Sequence, residues 1–213
     1  MSAPARGIPF VLAAPSGTGT TTVCLALREQ DPNLIFSVSH TTRPPRAGER
    51  DGVNYHFVSA PEFQRLRAAE AFLEWAVYNG NYYGTSWKAI EGPLAGGNDV
   101  LLEIEVQGAR QVRSRLPDAR LIFLLPPSKA TLLRRLEGRA TDTAEQVEGR
   151  LRTAQRELEA VEEFDYAVVN DDLALCVANL RGIIAAERAG ETSELRRRFT
   201  PRAAAAGLRA EAI

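Results

Sequence analysis

The stretch Phe10–Leu27, FVLAAPSGTGTTTVCLAL, decides how the whole chain is read. An apolar run breaks into a loop of Pro, Ser and Gly, and apolar residues then return at helical spacing. A strand that enters a glycine-rich turn and leaves it as a helix is the outline of a phosphate-binding loop, G-x-x-x-x-G-K-[ST]. The match runs from Ala14 to Thr21 and keeps Gly17, Gly19 and the hydroxyl of Thr21. Ala14 stands in place of the first glycine, and Thr20 in place of the lysine. The bare pattern therefore fails, and a degenerate strand–helix turn fits these residues too. In favour of a phosphate seat is the helix N-terminus, which offers backbone N–H groups and the positive end of a dipole.

Outward from this loop, short apolar runs alternate with helix-period segments. Strands are expected at Ile8–Ala14, Leu34–Ser39, Asp99–Val106, Arg120–Leu125 and Tyr166–Val169. Helices are expected at Thr20–Glu29, Gly108–Leu116, Lys129–Leu136, Ala144–Glu163 and Asp172–Ala189, the last with Leu173, Val177, Leu180 and Ile184 on one stripe. This rhythm predicts an α/β fold, a parallel sheet with helices on both faces. Two segments break it. His40–Ser86, rich in Arg, Gly, Pro and Tyr, reads as a small β-containing lobe, and Arg139–Arg150 as a mobile flap. Both are expected at the carboxyl ends of the strands, where open α/β sheets bind ligands. The end of the chain, Glu194–Ile213, is basic and then Ala-rich, and reads as a frayed helix or disordered end.

Bulk composition narrows the class. The chain has 213 residues, 45% hydrophobic and 25% charged, which fits one soluble domain with small inserted lobes. Its formal net charge is −1, so no global field draws it to nucleic acid or membrane, and a phosphate site has to come from local arginines. Cys24 and Cys176 lie in helical patterns and read as buried thiols. The start, MSAPARGIPF, does not read as a signal peptide, and no run approaches a membrane span. The expected location is the cytoplasm.

Four further stretches carry chemistry. In SVSHTTRPPRAGERDGVNYHF, Arg43 and Arg46 flank a rigid Pro-Pro turn. Two guanidiniums held close suit a phosphate dianion, with Tyr55 adding a hydroxyl, although a solvated basic loop has the same composition. EWAVYNGNYYGTS sets Glu74 among aromatics. A carboxylate there needs donors, and guanine N1–H and N2–H₂ present two together; a satisfied strand-edge Glu is the plainer alternative. LLEIEVQG puts Glu103 and Glu105 at i and i+2, on one face of a strand, which suits a cation or a base edge. Arg135, Arg139 and Arg150 suit charge-bearing phosphate oxygens, or are ordinary helix-surface charge. His40 and His56 read as structural, and no His/Cys cluster spells zinc.

Taken together, SVSHTTRPPRAGE, EWAVYNGNYYGTS, RLEGR and VVNDD resemble the guanylate kinase family, in its order and spacing, from about Ile8 to Glu187. The resemblance implies transfer of the γ-phosphate of ATP to GMP with Mg²⁺. It implies a core over 7–37, 98–136 and 164–190 of a single 1–213 domain, a GMP-binding lobe over 38–97, a helical lid over 137–160 and a tail over 191–213. It also implies that Ser39 and Glu74 bind guanine with Thr85 near its O6, that Arg43, Arg46, Tyr55 and Tyr83 hold the GMP phosphate, and that Glu103 lies by the base. Arg135, Arg139 and Arg150 would surround the transferring phosphate as catalytic groups. Ser16, Gly17, Thr18, Gly19, Thr20, Thr21 and Thr22 would cradle ATP, with Thr21 on Mg²⁺ and Asn170 on the adenine side.

The departures matter as much. Thr20 removes the loop's lysine, Glu105 stands where the family usually has Asp, and Ala140 follows Arg139 where it usually has Gly. The expectation is an active enzyme in which a monovalent cation such as K⁺, held by Thr20 and Glu105, returns the missing charge. The alternatives are an inactive binding module of the same fold, or a related kinase of sugar phosphates.

Overall fold

The structure is a computed structural model that describes residues 5–137 and 144–210. In chain order its elements are β1 (Pro9–Ala13), α1 (Thr20–Gln30), β2 (Leu34–Phe36), β3 (His40–Thr41), β4 (His56–Phe57), α2 (Ala60–Ala68), β5 (Phe72–Tyr78), β6 (Asn81–Ser86), α3 (Trp87–Ala95) and β7 (Asp99–Glu103). There follow α4 (Val106–Arg115), β8 (Arg120–Leu125), α5 (Lys129–Glu137), α6 (Ala144–Glu159), a 3-10 turn at Ala160–Glu163, β9 (Tyr166–Val169), α7 (Leu173–Ala189), α8 (Ser193–Arg198) and α9 (Pro201–Ala210). The chain divides into two compact units, Met1–Val11 with Asn33–Ala119 and Leu12–Pro32 with Arg120–Ile213; β1 passes from one to the other.

In the first unit the strand order is β2-β7-β1, and β2 pairs with β7 in parallel from Leu34↔Asp99 to Phe36↔Leu101. A second, smaller sheet runs β4-β3-β6-β5 and fits the expected inserted lobe. Its β5–β6 hairpin turns at Asn79 and Gly80, both at positive φ (47° and 76°), the two-residue turn whose twist matches that of the strands. Ser59 caps α2 by accepting from the Glu62 N–H, and Ser86 caps α3 by accepting from the Ala89 N–H. Helix α4 is laced to β5: Gln111 exchanges hydrogen bonds with both backbone groups of Trp75, and Arg115 Nη1 donates to the carbonyls of Phe72 and Leu73.

Two expectations are corrected here. The strand expected to reach Ser39 ends at Phe36. The strand expected over Asp99–Val106 ends at Glu103; Glu105 is the N-cap residue of α4, so the two glutamates do not share a strand face. The apolar residues Ile104 and Val106 extend the strand's alternation past the point where the helix has begun.

In the second unit the order is β1-β8-β9, with β8 and β9 parallel from Ile122↔Tyr166 to Leu125↔Val169. Both units thus build a parallel sheet flanked by helices, the α/β class expected. On α7 the buried apolar side chains are Cys176, Val177, Leu180, Ile183 and Ile184, whereas Leu173 is 40% exposed. The expected stripe is therefore corrected at its first position, where the helix has only just left its Asp172 cap. Leu132 and Leu136 of α5 pack with Ala154 of α6. The flap expected over Arg139–Arg150 lies outside the described residues at 138–143; from Ala144 onward it is helix α6.

The end of the chain departs most from expectation. It is neither frayed nor disordered through Ala210 but forms α8 and α9, which bury Phe199, Ala205 and Leu208. The Ala167 N–H of strand β9 donates to the Phe199 carbonyl. Glu187, almost fully buried, accepts from the Tyr166 hydroxyl, from Arg120 Nε (2.6 Å) and from Arg196 Nη2 (3.0 Å). Two cations and a hydroxyl compensate the burial of that one carboxylate: desolvation pulls its pKa up, but these partners together hold it below the ordinary carboxylate range.

Candidate active site

The first unit assembles one polar cluster on the small sheet. Glu74 lies on β5 opposite Thr85 of β6, and the Thr85 N–H donates to Glu74 Oε1 at 2.8 Å. The Thr85 hydroxyl lies 2.8 Å from the Ser39 hydroxyl. Thr85 is fully buried and Glu74 is 3% exposed. Burial pushes the Glu74 pKa up to about 7, against the Thr85 hydrogen bonds that favour the anion. The other carboxylate oxygen lies against α4: a Cβ placed on Gly108 would be 2.5 Å from Glu74 Oε2. Gly108 is thus what lets the carboxylate lie along the helix. A buried carboxylate with one backbone donor suits a ligand that presents two adjacent N–H groups.

A second cluster in the same unit is cationic and aromatic. Arg43 lies over the rings of Tyr55 (5.5 Å) and Phe57 (5.8 Å), and the Tyr55 and Tyr83 rings meet edge to face at 6.0 Å. Burial, with Glu103 next in effect, pushes the Tyr55 pKa up to about 12, so its phenol remains a donor. The sequence-expected phosphate residues Arg43, Tyr55 and Tyr83 are brought together. Arg46 enters differently, through its backbone N–H, which donates to Glu49 Oε2 at 2.7 Å.

Glu49 is a residue sequence reasoning missed. It takes the Arg43 fork with both oxygens, at 3.0 and 2.8 Å, and this hydrogen-bonded pairing holds the Glu49 pKa below the ordinary carboxylate range and raises that of Arg43. The signal that could have found it is an acid three residues after Arg46, in a turn rigidified by two prolines.

The second unit holds the glycine-rich loop. Gly17 and Gly19 adopt φ of 90° and 93°, a conformation that side chains disfavour. A Cβ on Gly17 would press on Leu136 at 3.1 Å. Thr18 is fully buried and folds the loop on itself: its hydroxyl and its N–H both donate to the Pro15 carbonyl, at 2.8 and 3.1 Å. The Thr18 carbonyl accepts from Asn170 Nδ2 at 2.8 Å and from Arg135 Nη1 at 3.0 Å. Helix α1 starts directly after Gly19, which offers no side-chain cap, and Thr21 and Thr22 are exposed in its first turn. That turn carries no acid, so the positive end of the helix dipole faces outward uncompensated by its own side chains.

Of the other expected residues, Glu103 ends β7 and is exposed. Ser16 and Thr20 flank the loop and are partly buried. Arg139 lies outside the described residues, and of Arg150 only the backbone, within α6, is described. Among the described residues no group of three or more His, Cys, Asp or Glu side chains could hold a metal, and no helix is long and apolar enough to cross a membrane.

The family model described as guanylate kinase matches residues 6–187. A guanylate kinase of Neisseria meningitidis serogroup A is 52% identical over 195 residues, covering 92% of this chain and 95% of that protein. One of Dechloromonas aromatica is 51% identical over 177 residues, covering 83% and 88%. The crystal structure of guanylate kinase from Anaplasma phagocytophilum matches with a TM-score of 0.72 at 34% identity, over 86% of this chain and 87% of that one.

Proposed function

The chain belongs to the guanylate kinase family and is a nucleoside monophosphate kinase that moves the γ-phosphate of ATP to GMP; we propose that its first unit supplies the GMP site and its second the ATP phosphate seat. The observation that carries this reading is the Ser39–Thr85–Glu74 cluster, in which Thr85 and Glu74 are buried. Glu74 would accept from guanine N1–H and N2–H₂, with Ser39 and Thr85 beside it near O6. Adenine has no donor at either position, and a sugar phosphate has no use for this cluster.

Arg43, Arg46, Tyr55 and Tyr83 would hold the GMP phosphate, with Glu103 by the base. Residues Ser16 to Thr22 would cradle the ATP phosphates through backbone N–H groups, Asn170 would lie on the ATP side, and Arg135, Arg139 and Arg150 would gather on the oxygens that gain charge during transfer. Mg²⁺ fits the exposed Thr21 hydroxyl of the first α1 turn, and when bound it neutralises charge on the phosphate oxygens. The reaction is an in-line displacement at the γ-phosphorus by a GMP phosphate oxygen, so positioning and charge neutralisation supply most of the catalysis.

The loop lacks its lysine, which leaves one unit of positive charge to be found. At about 4 Å and an effective dielectric near 20 such a charge is worth roughly 4 kcal/mol before desolvation. Thr20 is neutral and short. A monovalent cation, held by oxygens of Thr20, Glu105 and the nucleotide, would return it; K⁺ is the natural choice in the cytoplasm, where we place the enzyme. The test is a coupled ADP-release assay with GMP, AMP, CMP and UMP, each in potassium and in sodium buffer at fixed ionic strength. Preference for GMP, and faster turnover in potassium, is expected. Turnover that ignores the acceptor base contradicts the GMP site, and equal rates in both salts contradict the cation.

A further inference from the structure

We propose that Asn170 is a positioning residue for the phosphate loop, acting through the Thr18 carbonyl rather than by reading the adenine ring. The inference rests on reading the loop as the seat of the ATP phosphates. Asn170 follows β9, and its backbone N–H is fixed by the Leu125 carbonyl at 2.8 Å. The residue is buried, with only 7% of it exposed. The amide nitrogen donates to Thr18 O at 2.8 Å and lies directly under Gly19, where it would stand 3.0 Å from any Cβ. The N–H end of the amide must face this carbonyl, because the opposite orientation would set two acceptors against each other.

The consequence follows from the geometry of the peptide bond. In a trans peptide the C=O of Thr18 and the N–H of Gly19 point in opposite directions. Holding the carbonyl inward, as Asn170 does with Arg135 beside it, therefore turns the Gly19 N–H outward, and Gly19 is exposed. In a loop without a lysine ammonium, aligned backbone N–H groups carry a larger share of phosphate recognition. With the Asn170 donor lost, Arg135 alone holds the Thr18 carbonyl, the Thr18–Gly19 peptide is held less firmly, and the Gly19 N–H is aimed less well. The glycine at position 19 is required twice over, by its φ of 93° and by the amide beneath it.

The test is calorimetric titration of the full chain and of Asn170→Ala and Asn170→Asp with ATP, inorganic tripolyphosphate and GMP. The Asp variant keeps the shape under Gly19, replaces the donor with an acceptor and adds a negative charge, whereas the Ala variant removes the donor without adding charge. Both variants are expected to bind ATP and tripolyphosphate about tenfold more weakly, in equal proportion, with the Asp variant at least as impaired because its carboxylate faces a carbonyl. GMP binding is expected to stay unchanged. Weaker ATP binding with unchanged tripolyphosphate binding means that Asn170 reads the base, and overturns the inference. Equal weakening of GMP binding means a general loss of structure, and overturns it too. Failure of the unaltered chain to bind tripolyphosphate overturns the loop reading, and the inference with it.

Discussion

The Glu74 carboxylate accepts the Thr85 N–H at 2.8 Å across a buried antiparallel strand pair, with no cation among the groups that shift its acidity. That pairing explains both the site's selectivity and its pH dependence. Burial lifts the Glu74 pKa to about 7 from an ordinary 4.5. GMP needs the anion, because a protonated carboxyl sets an O–H donor against guanine N–H. The KM for GMP is therefore expected to rise as pH falls below about 7, by up to tenfold per unit, while the KM for ATP stays flat. Glu74→Gln removes the dependence. The same shift has a sign for stability: between 4.5 and about 7 the folded chain binds more protons than the unfolded one, so stability without GMP falls as pH rises through that window. Urea unfolding at pH 5 and pH 8, with and without Glu74→Gln, measures it.

Gly108→Ala gives a change of function against propensity. In an exposed helix this substitution stabilises by about 1 kcal/mol. Here the new Cβ would meet Glu74 Oε2 at 2.5 Å, so the carboxylate has to shift. The expected outcome in steady-state kinetics is a KM for GMP at least tenfold higher, with the KM for ATP unchanged.

The C-terminal helices are part of the folded second unit, so their anchors carry stability. Phe199→Ala removes a buried ring and is expected to cost about 3 kcal/mol in denaturant unfolding. Arg196→Ala leaves Glu187 with one cation fewer and is expected to lower the melting temperature by several degrees. Neither change is expected to alter selectivity between GMP and AMP.

Legibility in the sequence follows the range of the interaction. The strand–loop–helix at Phe10–Leu27 is local: its apolar run, positive-φ glycines and helical spacing are all visible in one stretch. Arg43, Tyr55 and Glu74 stand out in their own stretches and Tyr83 only through the family resemblance, whereas their grouping depends on how the small sheet folds. Glu49 lies only 6 residues from Arg43 and was within reach of a local pattern, but the Gly108–Glu74 and Asn170–Thr18 contacts act across 34 and 152 residues of chain, and no local pattern encodes such pairings. The tail was misread for a related reason: its composition is that of a frayed helix, and only two large apolar anchors, Phe199 and Leu208, show that it docks.

Potassium in place of sodium is expected to raise kcat severalfold or more at fixed ionic strength. Thr20→Lys should reduce that dependence, because an ammonium would occupy the cation's place. Glu105→Ala should impair activation by potassium without changing the KM for GMP. Steady-state rates across a potassium titration measure all three.

The most direct measurement is the ratio of kcat/KM for GMP to that for AMP, in the unaltered chain and in Glu74→Gln. Two guanine donors paired with one buried carboxylate predict a preference of about a hundredfold or more, falling at least tenfold in the Gln variant. Comparable turnover of AMP, or a preference that survives Glu74→Gln intact, would contradict the account.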